Sequence, residues 1–194
     1  PYRSSANELY KQGIAVGDYP LDHHHGCVSL PEEEIFPPIP AFTIPYACLV
    51  PKNRNGLLAA EKSISVSHIV NGCSRLQPVM MQIGQAAGAA AAICIKEGTK
   101  PSELDVRKLQ QTLLDARCWL MPFNDISPED PWFQACQRIG LCGILEGEPV
   151  SRGWANGFLF RPDAKMNKIE FTNSLKKAAG KHINKPMPEC SGNF

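Results

Sequence analysis

The chain has 194 residues, of which 20 are Lys or Arg and 19 are Asp or Glu, giving a formal net charge of +1. That balance excludes the basic excess of a nucleic-acid or anionic-membrane binder. With 43% hydrophobic and 20% charged residues, the composition also excludes a disordered polar segment. Seventeen prolines predict many turns and irregular connections rather than a helical bundle. The chain opens on Pro1 with no initiator Met, charged n-region or apolar h-region, so it is expected to be a piece of a longer protein.

Residues 1–56 are rich in Pro, aromatic and β-branched residues and show no sustained helical period. Ile14–Val16, Phe42–Ile44 and Ala47–Val50 are expected as short strands bounded by Gly and Pro. Glu32–Pro40 is expected as a loop, because its three prolines forbid a ladder or a helix interior. Leu57–Ala60 and Ser63–Val66 predict a buried strand and its exit, followed by Asn71-Gly72 as a turn. A long small-residue helix is then predicted from about Pro78 to Glu97, with Pro78 in its first turn and Gly98 past its end. This helix is apolar and carries Gly84-xxx-Gly88. Two glutamines near its start and few bulky residues in its last three turns favour a soluble helix, with a small face for close backbone approach, over a membrane span.

Val106, Leu109 and Leu113 predict a short amphipathic helix within 99–120. Ser127-Pro128-Glu129-Asp130 then predicts a helix start, with Ser as N-cap and Pro at N1. Trp132, Cys136 and Ile139 would recur on one face of it as far as Gly140 and Gly143. Gly153–Phe160 is expected as a Gly/Asn/aromatic loop. A second helix is predicted from Asn167, with Glu170 three residues on, Phe171, Leu175 and Ala178 on one face, and a stop at Gly180. The implied division is 1–120, a compact module over 121–181, and a loose tail over 182–194.

Eight cysteines are spaced without any CxxC pair, and several sit in apolar runs, so they read as structural thiols rather than metal or redox ligands. The helix start at Pro78 offers unpaired N–H groups and the positive end of a dipole. Gly72 and Arg75 lie in the loop before it, which makes this a candidate anion site. His23-His24-His25 follows Asp22. In an extended strand alternate residues align at steps of about 6.6 Å, which is awkward for three ligands on one ion. The triplet reads first as a polar strand or loop end, with a substrate-facing histidine as the alternative and no metal assigned. No Gly-x-Ser-x-Gly elbow, P-loop or Gly-x-Gly-x-x-Gly unit occurs, so a complete nucleotide-binding site is missing from these residues.

From about Ile14 to Leu114 the phrases GIAVGDYPLDHHH, FTIPYACLVPK, GLLAAEKSISVSHIVNGCSRLQPVMMQIGQAAGAAAA and LDVRKLQ occur in order. They resemble the C-terminal part of bacterial FAD-dependent oxidoreductases, some of which carry the label xanthan lyase. The family pattern is close to Y-P-x-D-x-H, I-P-Y-R-x-L-x-P, L-x-V-A-G-R-x-I-S-x-x-H, G-S-x-R-V-x-P and G-Q-A-A-G-x-A-A-A. The resemblance implies FAD as cofactor, with the pyrophosphate loop supplied by an upstream FAD-binding region and no cofactor held by these residues alone. It implies that Gly72, Arg75, Leu76, Pro78, Val79 and Met80 line the flavin, and that His24 and His68 are substrate-side catalytic candidates. The sequence departs from the pattern at Glu61-Lys62, where the family has Gly-Arg, and at Ala47, where it has Arg.

Phe123–Gly180 resembles a single S-layer homology module, through FNDISPEDPWFQACQRIGLCGILEG and NGFLFRPDAKMNKIEFTNSLKKAAG. Such modules bind cell-wall polysaccharide, usually as sets of three. Only one copy occurs here, and about eight residues, Glu148–Ala155, are inserted. Docking against the oxidoreductase part is therefore expected ahead of glycan binding.

The fold class expected is α+β: the C-terminal portion of a flavoprotein, with short strands and one long helix, followed by a small helical module. The function expected is part of an FAD-dependent oxidoreductase acting on a small or carbohydrate-like substrate, without nucleic-acid or transmembrane partners. Alternatives are a non-catalytic cell-surface or glycan-binding protein with a decayed flavin fold, and a polysaccharide (xanthan) lyase. The compartment stays open, with a lean to the periplasm or cell exterior.

Overall fold

The computed structural model describes residues 11–22, 39–145, 147–152 and 155–182. Strands β1 (Gly13–Gly17) and β2 (Phe42–Pro45) pair antiparallel, with Ala15 opposite Ile44 and Gly17 opposite Phe42. Ile14 and Val16 give β1 its extended preference. Gly17 must be bare, since a Cβ there would lie 2.6 Å from the Phe42 ring.

The strand expected at Ala47–Val50 is instead a 3₁₀ turn, Tyr46–Leu49. Pro45 has no N–H to extend the ladder. The turn drops Tyr46 and Leu49 into the core, and the Tyr46 hydroxyl donates to the Pro101 carbonyl at 2.9 Å. Leu57–Ala60 is also not a strand: it is extended, and Leu57 is 51% exposed. Among the described residues no strand lies beside it to complete a ladder, and its Ala59 N–H bonds only the Leu49 carbonyl. Asn71-Gly72 is not a turn but lies inside α1 (His68–Ser74), which Ser67 caps by accepting the Val70 N–H.

Helix α2 (Gln77–Glu97) matches the prediction, with Pro78 in its first turn and Gly98 left-handed at φ 64 just past its end. By length and composition it could cross a membrane. One face nevertheless belongs to the core, through Val79, Met80, Ile83, Ala86, Ala90 and Cys94. Its outer row is bare: Met81 and Ile95 are 76% and 83% exposed, and a Cβ on Gly84 or Gly88 would touch nothing within 4 Å.

Helix α3 (Val106–Asp115) is amphipathic as expected, and Asp105 caps it by accepting the Arg107 N–H. Its buried Gln110 donates to the carbonyls of Lys11 and Gly13, clamping the start of β1. The predicted helix at Ser127 starts later, as α4 (Phe133–Leu141). Pro131 disfavours helical backbone at Asp130, so Ser127–Asp130 forms a turn in which the Asp130 carboxylate accepts the Ser127 N–H. The inner face of α4 is accordingly Phe133, Cys136, Gln137, Gly140 and Leu141, with Trp132 at the cap and half exposed.

Residues 148–159 form a hairpin, β3 (Glu148–Arg152) and β4 (Ala155–Leu159), so the stretch Gly153–Phe160 expected as a loop instead carries the second strand. Asn124 takes the far edge of β4: its own N–H and its Oδ1 engage the Phe158 carbonyl and N–H. The stretch after residue 121 is therefore helix, hairpin and helix rather than purely helical. Helix α5 (Lys168–His182) opens on the predicted reciprocal cap between Asn167 and Glu170 and runs two residues past Gly180. Phe171 and Leu175 stay exposed. A single hydrophobic core joins Ile14 and Ile44 to Ile83, Leu113, Phe123, Leu141 and Phe158.

Candidate functional site

The start of α2 is built by two helices meeting at Arg75. Ser74, buried at the end of α1, donates its hydroxyl to the Val70 carbonyl, and Arg75 is the C-cap of that helix. Leu76, the N-cap of α2, has no side chain able to bond the first turn, and no side-chain cap is present. Pro78 has no N–H to satisfy. The backbone N–H groups of Gln77 and Val79 thus stand at the positive end of a 21-residue helix, two and four residues after Arg75.

Arg75 is held. Its Nη2 lies 3.4 Å from the Asp22 carbonyl and 3.6 Å from the Asp22 carboxylate, with both side chains about one-third exposed. Pairing at this level of exposure contributes little stability, about 0–1 kcal/mol, but it fixes direction.

The candidate residues from the sequence divide by their surroundings. Gly72 is buried, Arg75 and Leu76 are half-buried, and Pro78 is exposed, so these surround the helix start. The Val79 and Met80 side chains point into the core, leaving Val79 to offer its backbone N–H; the Met80 N–H is already bonded to the Leu76 carbonyl. His68 is exposed at the opposite end of α1, about 10 Å along the axis from Arg75. His24 lies outside the described residues.

Cys48, Cys73, Cys118 and Cys136 all have their ionisation pushed up by burial, the opposite of an activated thiolate. Among the described residues, no group of three His, Cys, Asp or Glu side chains is placed to hold a metal ion. Among the described residues, two clefts lie elsewhere. One of about 620 Å³ runs between Gly56–Leu58 and the Ala87–Ile95 side of α2. Another of about 630 Å³ lies between Phe160–Met166 and α5.

Sequence reasoning gave no role to Asp22, which it named only as the neighbour of the histidines and as the Asp of the Y-P-x-D-x-H phrase, and it missed Gln82, whose amide engages Val16. A buried-facing polar residue within an apolar helix was the available signal for Gln82.

Residues 4–113 match the model of a protein family described as FAD dependent oxidoreductase. No curated protein and no solved structure matches the chain significantly.

Proposed function

We propose that this chain, which belongs to the FAD dependent oxidoreductase family, contributes the flavin-facing helix of the enzyme and part of its substrate domain. The observation that carries this reading is α2 itself, a long helix with core on one face and a bare small-residue row on the other. Exposed Gly84 and Gly88 between Met81 and Ile95 form a face suited to close burial against another part of the protein. We assign that face to the nucleotide-binding region, with its Gly-rich pyrophosphate loop. The cleft along Gly56–Leu58 would then take a neighbouring strand.

The donor set fits the cofactor. Arg75 and the N–H groups of Gln77 and Val79 form an uncapped positive terminus, suited to the electron-rich pyrimidine edge of the flavin. FAD, when bound, supplies the two-electron acceptor for hydride removal. These residues bind and orient that edge and stabilise negative charge on it, by about 0.3–1 kcal/mol from the helix terminus and more where water is excluded. His68 and His24 are the groups assigned to the substrate side, for a small or carbohydrate-like substrate.

We read residues 121–181 as docked on the oxidoreductase segment rather than as a free glycan binder. The shared core and the bonds from Asn156 to Asp18 support this reading. The test is the visible absorption spectrum of the complete polypeptide after incubation with FAD. A bound-flavin spectrum that bleaches with dithionite is expected. A colourless protein would overturn the assignment and favour a decayed flavin fold.

A further inference from the structure

We propose that Asp22 and Asn156 are positioning residues for the flavin side of this protein, together holding the Asp18–Asp22 segment and, through it, Arg75. This rests on the reading of α2 given above. The segment leaves β1 at Gly17 and forms no helix or strand of its own, yet both of its ends are tied. At one end the Asn156 backbone N–H and side-chain Nδ2 each donate to the Asp18 carbonyl at 3.1 Å. At the other end Asp22 meets the Arg75 guanidinium through its carbonyl and its carboxylate.

Asn156 is only 4% exposed, the second residue of β4 and opposite Ser151, and places two donors on one carbonyl 138 residues away. A buried amide used this way fixes a backbone position, because leaving either partner unbonded is costly. Arg75 immediately precedes the N-cap of α2. A fork of five N–H donors on a flexible stem, gripped among the described residues at Nη2, is oriented without all its donors being used. Asn156 lies outside the family-matched residues, so the C-terminal hairpin acts as a strut for a site that the matched residues build.

The test compares wild type with Arg75→Ala, Asp22→Asn, Asp22→Glu and Asn156→Ala in the FAD-loaded protein. FAD affinity is read by fluorescence titration, and the flavin midpoint potential by equilibration with reference dyes. Arg75→Ala is expected to weaken FAD binding at least tenfold and to lower the potential, since positive charge beside the reduced ring is lost. Asn156→Ala removes no charge and is expected to shift both in the same direction by a smaller amount. Asp22→Asn should weaken binding severalfold, Asp22→Glu should restore most of it, and Asp22→Asn should add less than twofold in the Arg75→Ala background. An Asn156→Ala protein that loses only melting temperature, or an Asp22→Asn effect that adds fully to Arg75→Ala, would overturn the strut. If Arg75→Ala shifts affinity and potential while Asn156→Ala and Asp22→Asn shift neither, the strut alone falls. If Arg75→Ala leaves both unchanged, the flavin reading of α2 falls and takes the strut with it.

Discussion

Gln82 stands in for a strand beside β1. Its Oε1 accepts the Val16 N–H at 3.0 Å and its Nε2 donates to the Val16 carbonyl at 3.3 Å, so the amide copies a backbone pair. Gln82→Leu leaves both Val16 groups unpaired in a half-buried place. The expected cost is about 1–3 kcal/mol, or a fall of roughly 2–4 °C in melting temperature for each kcal/mol in a chain of this size. Thermal unfolding followed by circular dichroism measures it, and an unchanged midpoint would show that the amide bonds contribute nothing.

Glu61 explains one departure from the family pattern. Its φ is 55, in the left-handed region where a side chain costs roughly 1–2 kcal/mol and glycine costs little. The pattern the chain resembles has Gly at this place, and Glu61 is exposed, so Glu61→Gly removes strain without losing a packed side chain. Part of the gain is offset by the greater freedom of Gly in the unfolded chain. A net stabilisation of about 0.5–1 kcal/mol is expected in denaturant titration. A loss of stability would mean that the Glu61 side chain makes a contribution larger than the strain.

Where the sequence was legible, the determinants were local. Pro78 and Gly98 mark the two ends of α2, and Asn167 with Glu170 marks the start of α5, because caps are written within four residues. Where it failed, a neighbour decided. Pro131 moved the start of α4, and Pro45 ended β2 before Ala47 could extend it. The 148–159 hairpin depends on Asn124 and Asp125, more than twenty residues upstream, whose oxygens accept the N–H groups of Phe158, Phe160 and Arg161. The candidate site was legible as a helix start preceded by Arg75. The group that holds Arg75 was not, since Asp22 is 53 residues away and reaches it only through the tertiary fold.

Tyr46 ties stability to alkaline pH. Burial, with a smaller contribution from Cys94, raises its pKa from 10.0 to about 12, while its hydroxyl donates to the Pro101 carbonyl. Between pH 10 and 12 the unfolded chain loses this proton and the folded chain keeps it. Stability from this group is therefore fully present below pH 10 and falls as pH rises towards 12, by at most about 2.7 kcal/mol at 1.36 kcal/mol per unit. Tyr46→Phe should start from a lower stability, having lost the bond to Pro101, and show a flatter decline across that window. Denaturant titrations at pH 9 and 11 compare the two slopes, and equal slopes would remove Tyr46 as the cause.

The outer row of α2 separates docking from simple solvent exposure. Gly84 and Gly88 each cost a helix interior about 0.5–1 kcal/mol relative to Ala, and neither meets any atom that a Cβ would disturb. In this chain alone, Gly84→Ala and Gly88→Leu should hold or raise the melting temperature. On the proposed reading, in a polypeptide that also carries the upstream FAD-binding region, Gly88→Leu should do the opposite, because a bulky side chain would then stand where that region is proposed to approach α2. The expected result is at least a tenfold loss of FAD retention on gel filtration, with Gly84→Ala showing a milder loss. If both variants keep full flavin while stabilising the helix, the row faces water in the working protein. The glycines would then be unexplained by close packing, and the assignment of this face to the nucleotide-binding region would fall.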